Sequence, residues 1–185
     1  QLGVPVAINI ENGIAAMALA QLSGVSNEEI KTGMASFRGV DRRFDFKIKT
    51  DKVVYLSDYA HHPEEIKQSI LSMRALYGDK KLTGIFQPHL YTRTRDFYQE
   101  FAESLSLLDE VILTDIYPAR ELPIEGVSSQ LIYDNLRPDI DKILCTKEEV
   151  IDILKKKEIE VLMTLGAGDI ENYAPQICEI LDERC

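Results

Sequence analysis

From residue 41 onward the sequence alternates short apolar runs with amphipathic segments, and this alternation restricts the possible folds more than any other feature. The apolar runs predict β-strands at residues 53–57, 82–87, 110–114, 142–145 and 159–165. Between them, apolar residues recur at the spacing of one helix face, as Ile66, Ile70 and Met73 do in "PEEIKQSILSMRALYG". Strands joined by crossover helices form a mostly parallel sheet that is covered on both faces, so the sequence predicts an α/β fold.

Two further patterns precede the first parallel strand. The segment "FDFKIKTDKVVYLSD" has two apolar runs around "KTDK", which predicts a β-hairpin and so an initial antiparallel strand. Residues 9–36 have a helical pattern that Gly24 interrupts and that Ser26 restarts as a helix cap. We therefore expect a Rossmann-like, mostly parallel sheet with helices on both faces, an initial hairpin strand and a short helical remnant in front of it.

The two leading helices are too small to bury their own apolar faces. We therefore predict that residues 1–40 are the end of a preceding domain and that residues 41–185 form a domain of their own. The chain begins with Gln1 and reads as though it starts within a domain, so we expect it to be a fragment of a longer protein.

The composition limits the classes of partner and the compartment. The 185 residues carry a formal net charge of −10, which argues against a general surface for nucleic acid or anionic membranes but allows a local cationic pocket. No apolar stretch approaches the roughly 20 residues of a membrane-spanning helix. The cysteines Cys145, Cys178 and Cys185 are widely spaced without a CxxC pair, so we expect a reducing, cytoplasmic location.

Residues suited to chemistry follow the predicted parallel strands, at the edge where α/β sheets bind ligands. After the predicted strands 53–57 and 82–87 come the side chains Asp58, Tyr59, His61, His62, His89, Arg93 and Arg95. The segment "DIYPARE" follows the third strand, and "GAGD" follows the last. All three histidines of this acidic chain, together with several arginines, are thus predicted to lie at one edge of the sheet. The arrangement predicts a pocket for an anion or a carboxylate.

Each of these features also has a simpler interpretation. A strand-end aspartate such as Asp58 is often only a helix N-cap, and His62 before Pro63 can be a loop residue near a helix start. "TRTR" alone is more often a solvated loop than a site, and turns like "GAGD" are common in this fold class. Asp58 and the three histidines could be a metal set, but their spacing matches no standard zinc pattern, so we predict no metal ligands here.

Four motifs taken together resemble those of the Mur ligase family. They are "DYAHHPEEI", "FQPHLYTRTRDF", "DIYPARELPIEGV" and "GAGDI", in this order along the chain. Two earlier segments, "NIENGIAA" and "SFRGVDRRF", resemble the end of the family's central ATPase domain and its link to the C-terminal domain. The resemblance covers the whole chain and implies a C-terminal domain that brings the incoming amino acid.

The resemblance implies a reaction and its partners. Members of the family use ATP and Mg²⁺ to activate a carboxylate as an acyl phosphate, which the amine of an amino acid then attacks. The motifs are most similar to those of members that join L-alanine to UDP-N-acetylmuramate in peptidoglycan synthesis. The chain has no G-x-x-x-x-G-K-[ST] loop, and the family places its metal ligands in the central domain. We therefore expect no catalytic residues in this chain, no activity of the chain alone, and partner domains upstream in the same polypeptide.

The resemblance also implies roles for individual residues. Those similar to the ATP site are Asn9, Asn12, Arg43 and Asp58. Those similar to the amino-acid site are Tyr59, His61, His62, His89, Arg93 and Arg95. The paired histidines would then belong to a lid that positions L-alanine next to the acyl phosphate. The chain departs from the family at two positions. It has Ile8, next to Asn9, where the family often has histidine. It also has Leu90 where the family commonly has arginine, so Arg93 or Arg95 would hold the carboxylate of the amino acid.

Two other functions stay open from the sequence. One is a non-catalytic nucleotide-binding α/β module, which would bind ATP tightly without any partner domain. The other is a metal-dependent hydrolase that uses Asp58 and the histidines, and a stoichiometric divalent ion would support it.

Overall fold

The computed structural model describes residues 7–37 and 39–184. The strands in this part of the chain are β1 (Asp45–Lys49), β2 (Val54–Asp58), β3 (Leu82–Phe86), β4 (Glu110–Leu113), β5 (Asp141–Leu144) and β6 (Val161–Leu165). The α-helices are α1 (Ala7–Leu22), α2 (Asn27–Ser36), α3 (Pro63–Leu76), α4 (Tyr91–Leu105), α5 (Gln130–Asn135), α6 (Val150–Lys155) and α7 (Ala174–Asp182). Short 3₁₀ segments, Lys147–Glu149 and Asp169–Tyr173, lead into α6 and α7.

The strands form one sheet in the order β1-β2-β6-β3-β4-β5. Strand β1 is antiparallel to β2, and every other neighbouring pair is parallel. The predicted hairpin and the predicted mostly parallel sheet are therefore confirmed. The five parallel strands were predicted within two residues of their observed ends. Their carboxyl ends all lie at the same edge of the sheet, which we call the carboxyl edge; the opposite edge is the amino edge.

Apolar side chains fill the space on both faces of the sheet. Along β2, Val54 and Leu56 belong to one buried cluster, whereas Tyr55 between them belongs to the other. The first cluster includes residues of α3, α4 and α5, and the second includes residues of α6 and α7. Successive residues of a strand point to opposite faces, which explains why all five residues of β2, β3 and β6 are buried.

Three of the helix starts follow local capping signals. Ser26 and Glu29 form a capping box at α2, Thr146 and Glu149 form one before α6, and Pro63 occupies the first turn of α3. Helix α4 instead begins at Tyr91, so the predicted loop "TRTR" is helical. A distant carboxylate stabilises this start, because Glu121 accepts hydrogen bonds from the backbone N–H and the hydroxyl of Thr92.

Helices α1 and α2 pack against each other, and several large apolar side chains of α1 are exposed, among them Ile14, Leu19 and Leu22. The proposed boundary between residues 40 and 41 stays a prediction. Within residues 7–37 and 39–184, no helix combines the length and the apolar character that a membrane crossing requires. Cys185 lies outside the described residues, and Cys145 and Cys178 are free thiols.

Candidate functional site

The loops that follow β3 and β4 are joined to each other at the carboxyl edge. The N–H of Leu90 donates to the carbonyl of Tyr117 (3.0 Å), and the N–H of Tyr117 donates to the carbonyl of Pro88 (2.8 Å). His89 and Tyr117 form an isolated parallel bridge, and their rings are stacked with centroids 5.7 Å apart. The motifs "FQPH" and "DIYPAR" therefore form one continuous wall of the site.

A row of rings crosses the edge from β2 to β3. The ring centroids of Tyr59 and His61 lie 5.2 Å apart, and those of His61 and His89 lie 6.1 Å apart. The Nδ1 atom of His61 lies 3.0 Å from the carbonyl oxygen of Tyr59 and 3.3 Å from a carboxylate oxygen of Glu65. The structure thus brings together residues of two loops, Tyr59 and His61 after β2 and His89 after β3, and the row continues into the wall through His89.

Arg93 reaches this row from the first turn of α4. Its guanidinium lies 3.3 Å from Nδ1 of His89, a distance at which arginine donates and the imidazole accepts. Burial, and then the charges of Arg93 and His61, lower the pKa of His89 below its ordinary value. A pKa below 6.5 leaves the ring of His89 mostly neutral at pH 7, and because arginine can only donate, the contact with Arg93 puts the ring proton on Nε2. The guanidinium of Arg93 supplies the cation at this position.

Two neighbouring arginines lie against the ring of Tyr59. The guanidinium carbons of Arg42 and Arg43 are 4.7 Å and 5.0 Å from the ring centroid. Arg43 is exposed, whereas Arg42 is partly buried and lies 3.4 Å (Nη2) from the carbonyl oxygen of Gly168. Arg43 was predicted from the sequence, but Arg42 was not, because nothing in "RR" tells which of the two side chains turns inward.

Asp58 ends β2 with its side chain buried rather than open to the solvent, since its relative exposure is 9%. Its carboxylate accepts hydrogen bonds from the hydroxyl of Ser69 and from the backbone N–H groups of Phe44 and Ala60. Burial raises the pKa of Asp58 above its ordinary value, although these donors and the charge of Arg43 act in the opposite direction. Asp58 therefore ties the 39–45 segment to β2 and α3; it is not the N-cap of α3, a position that His62 takes.

The "GAGD" loop after β6 is held by Gln87, a buried residue that the sequence did not single out. Its amide nitrogen donates to Asp169 (2.7 Å), and its amide oxygen accepts from the N–H of Ile170 (3.0 Å). A Cβ atom at Gly166 would lie 2.8 Å from the carbonyl oxygen of Gln87, at a φ of +142°. Glycine is required there because both the contact and the backbone angle exclude a side chain. Lys147, in the 3₁₀ segment before α6, pairs with Asp169.

The remaining predicted residues lie apart from this row of rings. His62 is exposed and its ring packs on Phe97, with centroids 5.1 Å apart. Arg95 pairs with its neighbour Asp96 at 2.7 Å, and half of its side chain is exposed. Asn12 is exposed on α1, while the side chain of Asn9 lies outside the described part of the chain. In residues 7–37 and 39–184, no group of three or more His, Cys, Asp or Glu side chains is arranged to hold a metal ion.

Comparison with known proteins connects this geometry to one family. Residues 42–170 match the family model described as "Mur ligase, glutamate ligase domain". The chain is 78% identical over 184 residues to a UDP-N-acetylmuramate–L-alanine ligase of Phocaeicola vulgatus, and the match covers all of this chain and 40% of that protein. A ligase of the same name from Porphyromonas gingivalis is 53% identical over 186 residues, again with full coverage of this chain and 41% of the relative.

Solved structures give the same result for the fold. A UDP-N-acetylmuramate–alanine ligase from Thermotoga maritima superposes with a TM-score of 0.81 at 26% identity, and covers 100% of this chain and 40% of its own. A MurF ligase from the same organism, in complex with ADP, has a TM-score of 0.64 at 19% identity and covers 92% of this chain and 38% of its own, which supports the fold alone. The chain spans about 40% of the length of the curated relatives it matches.

Proposed function

This chain belongs to the Mur ligase family, and we propose that it is the C-terminal part of an ATP-dependent ligase that joins L-alanine to UDP-N-acetylmuramate. The reaction would release ADP and phosphate through an acyl phosphate and serve peptidoglycan synthesis in the cytoplasm. Relatives at 78% and 53% identity carry this name. The observation that carries the proposal is the convergence of His61, His89 and Arg93 at the carboxyl edge, where a small amino acid can be held.

On the amino-acid side, we assign the carboxylate of L-alanine to Arg93 rather than Arg95. Arg95 is already paired with Asp96, whereas Arg93 contacts the neutral imidazole of His89 and keeps further donors for a carboxylate. The neutral ring of His89 offers no competing charge to the guanidinium. A cation that holds the carboxylate leaves the amine of the substrate free to attack.

On the nucleotide side, the exposed guanidinium of Arg43 suits a phosphate, since it lies on Tyr59 without a hydrogen-bonded carboxylate partner in the described residues. Asp58 supports this side indirectly, because its carboxylate fixes the backbone next to Arg43. Contacts of Asn9 and Asn12 with ATP stay predictions, as does a direct contact of Asp58 with the ribose.

Among residues 7–37 and 39–184, no three His, Cys, Asp or Glu side chains are grouped as they would be around a metal ion. Under the proposal, the metal ion and the nucleotide-binding loop belong to upstream domains of the same polypeptide, and UDP-N-acetylmuramate binds there as well. The contribution of this chain is to bind and orient the amino acid and to bring cations toward the phosphates.

The test is phosphate release by the full-length protein with ATP, magnesium and UDP-N-acetylmuramate, to which L-alanine, glycine or L-serine is added in turn. We expect L-alanine to stimulate phosphate release by the full-length protein strongly. The 185-residue chain alone should release no phosphate. The absence of stimulation by all three amino acids would contradict the proposal. Tight binding of ATP by the isolated chain in a calorimetric titration would instead favour a free-standing nucleotide-binding module.

A further inference from the structure

The side chain of Arg42 has a role that differs from that of its neighbour Arg43. We propose that Arg42 is a positioning residue, which fixes the ring of Tyr59 and the 166–169 loop so that the amino-acid side of the site is preformed. This inference rests on the proposed function, and it deepens it by adding a residue that acts without touching the substrate.

The contacts of Arg42 connect three segments that are distant in sequence. Its guanidinium lies on the ring of Tyr59 (4.7 Å to the centroid), and Nη2 lies 3.4 Å from the carbonyl oxygen of Gly168. Its own carbonyl oxygen accepts a hydrogen bond from the N–H of Tyr59 (2.7 Å). Tyr59 is therefore held at both its backbone and its ring by a single residue.

The conformation of Arg42 is one that a chain adopts only when its surroundings enforce it. The residue has a φ of +61°, and Phe44 two residues later has a φ of +49°. The Nε atom of Arg42 is buried without a hydrogen-bond partner among the described residues. An unpaired buried donor and a left-handed backbone are both unfavourable, so the stacking on Tyr59 and the contact with Gly168 are kept despite a local free-energy cost.

The fixed ring of Tyr59 determines the position of the row that follows it. His61 approaches the carbonyl oxygen of Tyr59 through Nδ1 (3.0 Å), and its ring faces His89. On the other side, a Cβ atom at Gly168 would lie 2.8 Å from Cβ of Tyr117, so the loop that Arg42 contacts packs directly on the wall of the site. Displacement of Arg42 would therefore loosen the row and the wall together, while Arg93 and its charge stay in place.

The kinetic test uses the full-length protein with the variants Arg42→Ala, Arg42→Lys, Tyr59→Ala and the double variant, with Arg137→Ala as a control. Arg137 is an exposed arginine that pairs with Asp139, away from the site. We expect Arg42→Ala to raise the KM for L-alanine about tenfold, which lies within the range of one lost cation–π contact. The KM for ATP should change less than about twofold, and Arg137→Ala should have no effect.

Lysine at position 42 should not restore the KM, because an ammonium group keeps the charge but cannot lie flat on the ring and donate to Gly168 at once. In the double variant, the loss of Arg42 should add little to the loss of Tyr59, because the first residue acts through the second. Rescue by lysine, additive effects in the double variant, or a change confined to the KM for ATP would each overturn the inference.

A second measurement separates the inference from the proposed function. In ¹⁵N and tyrosine-ring NMR spectra of the 185-residue chain, Arg42→Ala should shift the amide of Gly168 and the ring signals of Tyr59, and Arg137→Ala should shift neither. Unchanged signals would overturn the positioning role. If the full-length protein shows no phosphate release stimulated by an amino acid, the proposed function fails, and these spectra still decide whether Arg42 holds Tyr59.

Discussion

At the amino edge of the sheet, buried charge is neutralised within the chain, whereas at the carboxyl edge arginines lie against rings. The carboxylate of Glu110, only 1% exposed, lies at the start of β4 between Lys81 and Lys157 and accepts a hydrogen bond from Thr83. At the other edge, Arg42 and Arg43 stack on Tyr59, and Arg93 contacts His89.

The difference shows what each edge contributes. A paired buried carboxylate stabilises the fold but has no capacity left for a ligand, because its oxygens are already occupied. A guanidinium that stacks on an aromatic ring is held in place. Its N–H groups lie in the plane of the guanidinium and stay free to bind a ligand. The charged groups of the two edges should therefore respond differently to mutation: the loss of Glu110 should alter stability, and the loss of the arginines at the carboxyl edge should alter binding.

The largest effect is expected at Arg93. Replacement by alanine should raise the KM for L-alanine about 100-fold in the full-length protein, because a charge-assisted contact with the carboxylate is lost. Arg95→Ala is the matched control, since Arg95 lies two positions along the same helix and is paired with Asp96. Steady-state kinetics of both variants measure the comparison. Equal effects of the two changes would show that the carboxylate is bound elsewhere.

At the amino edge, Glu110→Ala should lower the free energy of unfolding by about 2–3 kcal/mol, since it removes the partner of Lys157 and of the buried hydroxyl of Thr83 and leaves Lys81 paired only with Asp141. Urea denaturation of the chain measures this. Glu158→Ala, an exposed glutamate of the same region, should change the free energy by less than about 0.5 kcal/mol. A similarly small effect of Glu110→Ala would mean that its ion pairs add nothing to stability.

Acid should destabilise the two edges in different pH ranges. Burial alone would raise the pKa of Glu110, but the hydrogen bonds and charges of Lys157 and Lys81 outweigh it and hold the pKa below the ordinary 4.5. Its stabilisation is therefore complete above pH 4.5 and is lost as the pH falls through the lowered pKa. The pKa of His89 is lowered from 6.5, so the unfolded chain takes up this proton first and stability falls as the pH drops below 6.5.

Unfolding free energies measured as a function of pH separate these contributions. Glu110→Gln should flatten the profile only below about pH 4.5, and His89→Gln should flatten it only just below about pH 6.5. If His89→Gln left the upper part of the profile unchanged, the environment of His89 would not disfavour its protonated form.

The smallest effect is expected at Ala119, an exposed residue with a φ of +50° in the loop that follows β4. Glycine adopts this conformation without the steric penalty of a Cβ atom, so Ala119→Gly should raise the free energy of unfolding by about 0.5–1 kcal/mol. Ala75→Gly is the matched control, because Ala75 is exposed within α3 and glycine lowers helix stability there. Destabilisation by both changes would show that the loop is not strained at Ala119.

Much of the fold could be predicted from the sequence because its signals are local. The alternation of apolar runs and helix faces predicted the five parallel strands, and the apolar runs around "KTDK" predicted the hairpin. Helix α5 was missed because its six residues are too few for a helical period to stand out. The start of α4 was missed because the carboxylate that caps it, Glu121, lies 29 residues away.

For the site, the sequence by itself determined which residues reach the carboxyl edge, since strand ends and motif order place Tyr59, His61, His89 and Arg93 there. Only the tertiary structure decided how those residues are used. In the structure, His62 is exposed and packs on Phe97, and Asp58 is buried. Arg42, rather than Arg43, is the arginine that is partly buried and contacts Gly168. The reason is that each outcome depends on a partner from another segment, as in the contact of Arg42 with Gly168 across 126 positions, and such contacts leave no trace in local periodicity.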